Sequence, residues 1–149
     1  MPWIFYAAAG ACLLAGMLNA IQGPTNASLV SSVGSPINAA LVSFAVGTIV
    51  LLGIALALRV KPDLAAVRGL PWWAWMGGLY GAFFVTVVAL SVPRLGVAFV
   101  ITLMIAGQLI MSITLDHFGA FGIAERPVSW PRIAGVALVF AGVLLVRRS

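Results

Sequence analysis

Apolar residues run along this chain in five long blocks, parted by short stretches where the charges and most of the prolines collect. A block of roughly 17 to 25 apolar residues has the length of a helix that crosses a bilayer. The pattern predicts spans at about 3–30, 36–58, 72–92, 97–116 and 132–147. The first is expected to bend at Gly23-Pro24, where proline withholds a helical N–H. The second opens at Ser35-Pro36, a hydroxyl N-cap followed by proline at the first helical position. Trp72, Trp73 and Trp75 head the third span, where interfacial aromatics belong. The motif "PRLG" connects tightly to the fourth, and a longer loop with Asp116, Glu125, Arg126 and Arg132 leads to the fifth. The strictly apolar part of that last block, 133–146, is short for a span; snorkelling of Arg132 and Arg147 is expected to lengthen it.

Composition agrees with this pattern. Of 149 residues, 63% are hydrophobic and only 7% charged, with mean hydropathy +1.18, whereas a soluble domain is about a quarter charged. The chain is an all-α membrane protein in a single transmembrane domain, 1–149. No basic segment precedes the first block, so a retained helix is expected there rather than a cleaved signal. The net charge of +5 does not point to nucleic acid, because the basic residues are scattered among loops without interleaved aromatics. They are expected to contact the lipid bilayer at its headgroups and to set topology. A lone Cys12 excludes an internal disulfide, and no His/Cys spacing suits a metal or other cofactor. There is no Ser-His-Asp arrangement, no paired intramembrane carboxylates and no phosphate-cradling loop, so no enzyme is expected.

With five spans, the side of the N-terminus carries Arg59, Lys61, Arg68, Arg126 and Arg132, and the other side Arg94, Arg147 and Arg148. Orientation follows the excess of Lys and Arg. A difference this small commits the chain to neither orientation, and a protein that inserts both ways could pair with an inverted copy of itself.

Polar residues inside the spans carry the functional question, because in lipid each must face protein or a wet cavity. On the first helix Cys12, Gly16, Asn19, Gly23 and Asn26 share a stripe about 80° wide, with Gln22 beside it. Two readings are open: a close helix seam bridged by amides, or a substrate cavity lined by Asn19, Gln22 and Asn26. Asn38, in the first turn of the second helix, is expected to cap backbone amides. Gly77-x-x-x-Gly81 is a weak dimerisation-type signal, and Tyr80 and Phe84 make an aromatic i, i+4 pair. The Tyr80 hydroxyl needs a partner when buried, which makes it a further candidate for the substrate site. On the fourth helix Gln108, Ser112 and Asp116 stand in line at i, i+4 and i+8. Gln108 lies mid-span, as interhelical glue or cavity wall. Asp116 and His117 lie at the helix end, where they form either a proton relay, histidine being able to titrate near neutrality, or a structural corner. An acid at a helix C-terminus opposes the macrodipole, so a cation is expected to compensate it: Arg126 or Arg132 of the fourth loop within one subunit, or Arg94 of an inverted neighbour.

The stretch "GGLYGAFFVTVVALSVPRLGVAFVITLMIAGQLIMSITLDHFG" resembles the YdcZ-type family of small five-helix bacterial membrane proteins, in the drug/metabolite transporter superfamily. G-G-x-x-G, P-R-L-G and G-Q-x-x-x-S-x-x-x-D-H-F-G carry the likeness, and Asn19, Gln22, Asn26 and "SPINAALVSFAVGT" extend it over almost the whole chain. The resemblance implies a bacterial inner-membrane protein that is half of an inverted-repeat transporter fold and assembles as an antiparallel homodimer. Its transport site is then expected at the repeat interface near the midplane. One departure matters: related small multidrug exporters couple to protons through a first-helix glutamate, and here the first helix has no acid. Asn19, Gln22, Asn26 and Gln108 point instead to a largely neutral, hydrogen-bonding cavity for a small-molecule substrate. The expected function is an exporter working by alternating access. The competing class is a non-transporting subunit that stabilises or regulates a partner membrane protein.

Overall fold

The computed structural model describes residues 2–61 and 63–148, and among them every regular element is helical. In order these are α1 Pro2–Val33, α2 Pro36–Ala57, α3 Leu64–Val67, α4 Gly77–Leu95, α5 Val97–Phe118 and α6 Trp130–Arg148, with 3-10 turns at Trp72–Trp75 and Ala120–Gly122. Five spans, at Trp3–Val33, Pro36–Ala57, Trp72–Leu95, Val97–Phe118 and Trp130–Arg147, are long and apolar enough to cross a membrane. Pro62, in the polar connection after α2, lies outside the described residues. The chain divides into two compact units, one ending at Arg94 and one beginning at Leu95.

In the first unit α1 has 32 residues, about 48 Å at 1.5 Å per residue, against a hydrocarbon layer of about 30 Å. It therefore tilts or emerges at an end. The helix runs on through Pro24, whose missing N–H leaves the Ala20 carbonyl without its helical donor. Two residues then turn the chain into α2. Gly34 adopts φ 81° and donates its N–H to the Val30 carbonyl at 2.9 Å. Ser35 is extended and its Oγ accepts the Asn38 N–H at 3.1 Å, with Pro36 following. The Asn38 side chain does not cap a backbone amide as expected. Its Nδ2 instead donates to the Val33 carbonyl at 2.8 Å, satisfying one of the open carbonyls at the end of α1.

Helix α4 supplies buried Val85, Val88, Ala89 and Val92. Two glycines let other helices of this unit approach it. A Cβ on Gly23 of α1 would stand 3.0 Å from Val88 Cγ1 and 3.4 Å from Val92 Cγ2, and one on Gly81 would stand 3.0 Å from the Phe44 ring of α2. Gly81 is thus occupied inside the chain, while Gly77 meets nothing within 4 Å. The expected Tyr80–Phe84 ring pair is absent among the described residues: Tyr80 is 64% exposed, whereas Phe84 is half-buried.

In the second unit α5 starts after Gly96, whose φ 79° and ψ 154° suit only glycine, and packs along α6. Val100, Ala106 and Val143 are buried. Helix α5 ends at Gly119 in the left-handed conformation, φ 57° and ψ 30°, the usual device for closing a helix. Helix α6 begins at Trp130 and spans 19 residues, about 28 Å, so the flanking Trp130 and arginines bring the short apolar block to bilayer length.

Candidate functional site

The threonines and the amides of the candidate set behave differently in these helices. All five threonines turn back on their own helix: Thr25 donates to the Ile21 carbonyl, Thr48 to Phe44, Thr86 to Ala82, Thr102 to Ala98 and Thr114 to Ile110, at 2.6 to 2.9 Å. Ser112 does the same with Leu109 at 3.0 Å. A short hydroxyl reaches the preceding turn and its one donor is then satisfied. An amide carries two donors and an acceptor, which one turn of its own helix cannot complete. Among the described residues the side chains of Asn19, Gln22, Asn26 and Gln108 make no hydrogen bond.

The α1 stripe splits along its length. Cys12 and Gly16 are exposed, with nothing within 4 Å of a Cβ on Gly16. Asn19 is half-buried, Gln22 exposed, Gly23 buried against α4, and Asn26 only 4% exposed. Asn26 stands one turn beyond Gly23 on the same side of the helix. No side-chain nitrogen or oxygen among the described residues is fully enclosed without a partner, so the Asn26 amide keeps contact with open space. The Ala20 carbonyl, freed by Pro24, adds a backbone acceptor to the same two turns. Tyr80, also in this unit, is exposed and its hydroxyl has no hydrogen-bond partner among the described residues.

In the second unit Gln108 is exposed on α5 beside an open Gly107. Two turns on, the helix end is tightly bonded. The Asp116 carboxylate pairs with Arg132 Nη1 at 3.3 Å, both side chains about one-third exposed. Arg132 thus answers the expectation of a counter-charge; Arg94 folds onto its own helix, Nη1 donating to the Leu90 carbonyl at 2.7 Å. Arg132 also donates to the Arg126 carbonyl at 3.0 Å, and the Arg126 N–H donates to the Asp116 carbonyl at 2.7 Å. His117 Nδ1 accepts the Val128 N–H at 3.4 Å, its ring edge-on to Phe118. Asp116 and His117 therefore share a corner, yet each faces the loop and not the other. Gly119 completes it: a Cβ there would stand 2.6 Å from Glu125 Cγ and 3.2 Å from the Ile123 carbonyl oxygen. The sequence places Gly119 in this corner, Phe-Gly at the end of an apolar helix being a C-cap signal, but leaves Glu125 in the loop.

Among the described residues, small apolar crevices open in each unit. One of about 170 Å³, lined by Ile37, Ala40, Leu41, Phe44, Ala82 and Thr86, lies in the first unit. One of about 200 Å³, lined by Ile110, Ile113, Thr114, Ile133 and Val136, lies in the second. Both are apolar, and neither includes an amide of the candidate set. Among the described residues no three His, Cys, Asp or Glu side chains gather where a metal could bind.

A family model described as "Putative inner membrane exporter, YdcZ" matches residues 7–145 of the chain. Over 106 residues the sequence is 32% identical to the inner membrane protein YdcZ of Escherichia coli (strain K12), covering 66% of this chain and 71% of that protein. No solved structure matches it.

Proposed function

The chain belongs to the YdcZ family of inner membrane proteins, and on that footing we propose that it is a small exporter working by alternating access as an antiparallel homodimer. Its cavity is largely neutral, and Asn19, Gln22, Asn26, Tyr80 and Gln108 are the residues proposed to bind the substrate. The observation that carries this reading is the contrast between the threonines and these four amides. The threonines are satisfied within their helices, whereas the amides have donors and acceptors free for something outside their own chain. A polar, uncharged substrate, or one presenting both donors and acceptors, suits such a wall better than a bare cation, for which a carboxylate would be the natural partner. The near balance of Lys and Arg across the membrane supports two orientations, and an inverted copy supplies the second half of a two-sided pathway.

A second reading rests on the exposed Cys12 and Gly16 above Asn19. Small residues in line with an amide also suit a partner helix, and the chain would then be a subunit that stabilises another membrane protein. Cysteine labelling separates the two. With Cys12 replaced, cysteine at 19, 22 or 26 should react with a membrane-impermeant thiol reagent under some transport conditions, while cysteine at the lipid-facing Leu14 or Leu18 should not. Uniform inertness of all five positions returns the stripe to packing. Independently, a C-terminal reporter should signal from both sides of the membrane, and moving one or two arginines across it should swing the ratio. A single, unresponsive orientation rules out the antiparallel homodimer.

A further inference from the structure

Span alternation puts every tryptophan of the chain on one side of the membrane. Trp3 opens the first span, Trp72, Trp73 and Trp75 open the third, and Trp130 opens the fifth. The densest part of that side is the connection between α2 and α4, residues 59–76. It carries Arg59, Lys61 and Arg68 together with Trp72, Trp73 and Trp75. The three cations are exposed, and none is ion-paired among the described residues. Trp72 is 74% and Trp75 57% exposed. The one acid of the segment, Asp63, accepts the Ala65 N–H at 3.0 Å at the start of α3.

Arg59 is the unusual member. Helix α2 closes with the Val60 N–H on the Ala55 carbonyl and the Leu58 N–H on the Ile54 carbonyl, both at 2.9 Å. This closure leaves Arg59 at φ 53°, in the left-handed region. Glycine takes that conformation freely and a branched or long side chain does not. A cation held there at a conformational cost, beside two more cations and three indoles at the level where a span ends and another begins, calls for an anion at that level.

We propose that Arg59, Lys61 and Arg68, with Trp72, Trp73 and Trp75, form a binding site for the phosphodiester headgroup of an anionic phospholipid. The segment joins two membrane-spanning helices, so its cations stand at headgroup depth. Indoles settle in the same layer, and each Lys or Arg near an anionic surface adds attraction. This inference goes beyond the export reading and does not depend on it.

The test measures binding of phosphatidylglycerol and phosphatidylcholine to the purified chain by native mass spectrometry, and thermal unfolding in nanodiscs of each lipid. Phosphatidylglycerol should be retained and raise the midpoint, phosphatidylcholine should do neither, and inorganic phosphate at matched concentration should give no increment. Neutralising all three cations (Arg59→Gln, Lys61→Gln, Arg68→Gln) should weaken phosphatidylglycerol binding on the order of a hundredfold; Arg94→Gln, on the opposite side, should leave it unchanged. Arg59→Gly is the sharper variant. It should raise the midpoint in neutral detergent, because glycine accepts φ 53°, and weaken phosphatidylglycerol binding about fivefold. Equal binding of the two lipids, an equal increment from inorganic phosphate, or full phosphatidylglycerol affinity in Arg59→Gly would overturn the proposal.

Discussion

The polar residues of α1 and those at the end of α5 are made of similar chemistry and are used in opposite ways. At the α5 corner a carboxylate, a guanidinium, an imidazole and backbone groups bond to one another within their own chain. On α1 three amides stand within eight residues and none has a side-chain partner among the described residues, although Asn26 is almost wholly buried. A polar group that is bonded at home holds a structure together, and its loss is felt as stability. A polar group without a partner in an apolar setting carries a cost that only a ligand, a partner chain or water relieves, and its loss is felt in function. The two regions should therefore respond to mutation in different currencies.

The largest effect is expected where the corner is tightest. In Gly119→Val a branched side chain would have to adopt φ 57° while its Cβ lay 2.6 Å from Glu125 Cγ and 3.2 Å from the Ile123 carbonyl oxygen. A loss on the order of 3 kcal/mol is expected from strain and overpacking together, seen as a lower yield and thermal midpoint. A midpoint equal to wild type would mean that the corner is not a fixed structure.

Gly23→Val probes the one point where the α1 stripe behaves like a seam. Its Cβ would meet Val88 Cγ1 at 3.0 Å, and the added methyl groups have to displace α1 from α4 at about 1 to 3 kcal/mol. Gly16→Val, on the same stripe with nothing within 4 Å, should leave the stability of the isolated chain unchanged. Equal effects at the two glycines would erase the division of the stripe into a packed and an open half.

The smallest stability effects separate the two regions most sharply. Asp116→Ala breaks a one-third-exposed ion pair and should lower stability by about 1 kcal/mol, leaving ligand binding near wild type in the molecules that fold. Asn26→Ala and Gln108→Ala remove no hydrogen bond within the chain, so their thermal midpoints should stay close to wild type while ligand binding or transport falls severalfold. If Asp116→Asn keeps full stability and abolishes pH-dependent transport, the comparison inverts and the Asp116-His117 corner is the proton site.

The five spans could be read in the sequence because insertion into lipid is close to a sum over residues. Length and apolar content decide it, and neighbours in space hardly enter. Local signals were legible for the same reason: Ser35-Pro36 opens α2 through atoms three residues apart, and Pro24 frees a carbonyl four residues back by its covalent structure. Pairing was not legible in that way. Arg126 and Arg132 were both candidates for Asp116 within one chain, Arg94 being able to reach it only from an inverted neighbour, and the packing of α6 on α5 brought Arg132 to 3.3 Å. Gly16 and Gly23 look alike in a helical stripe, as do Gly77 and Gly81, yet one of each pair meets a neighbouring side chain and the other meets none. Asn38 was expected to cap amides, yet its side chain donates to the Val33 carbonyl of the preceding helix, which the turn between the two helices brings within 2.8 Å. Hydrogen bonds and contacts fall away within an ångström or so of ideal distance. Which of several equivalent residues makes them is therefore decided by where the folded helices come to rest against each other.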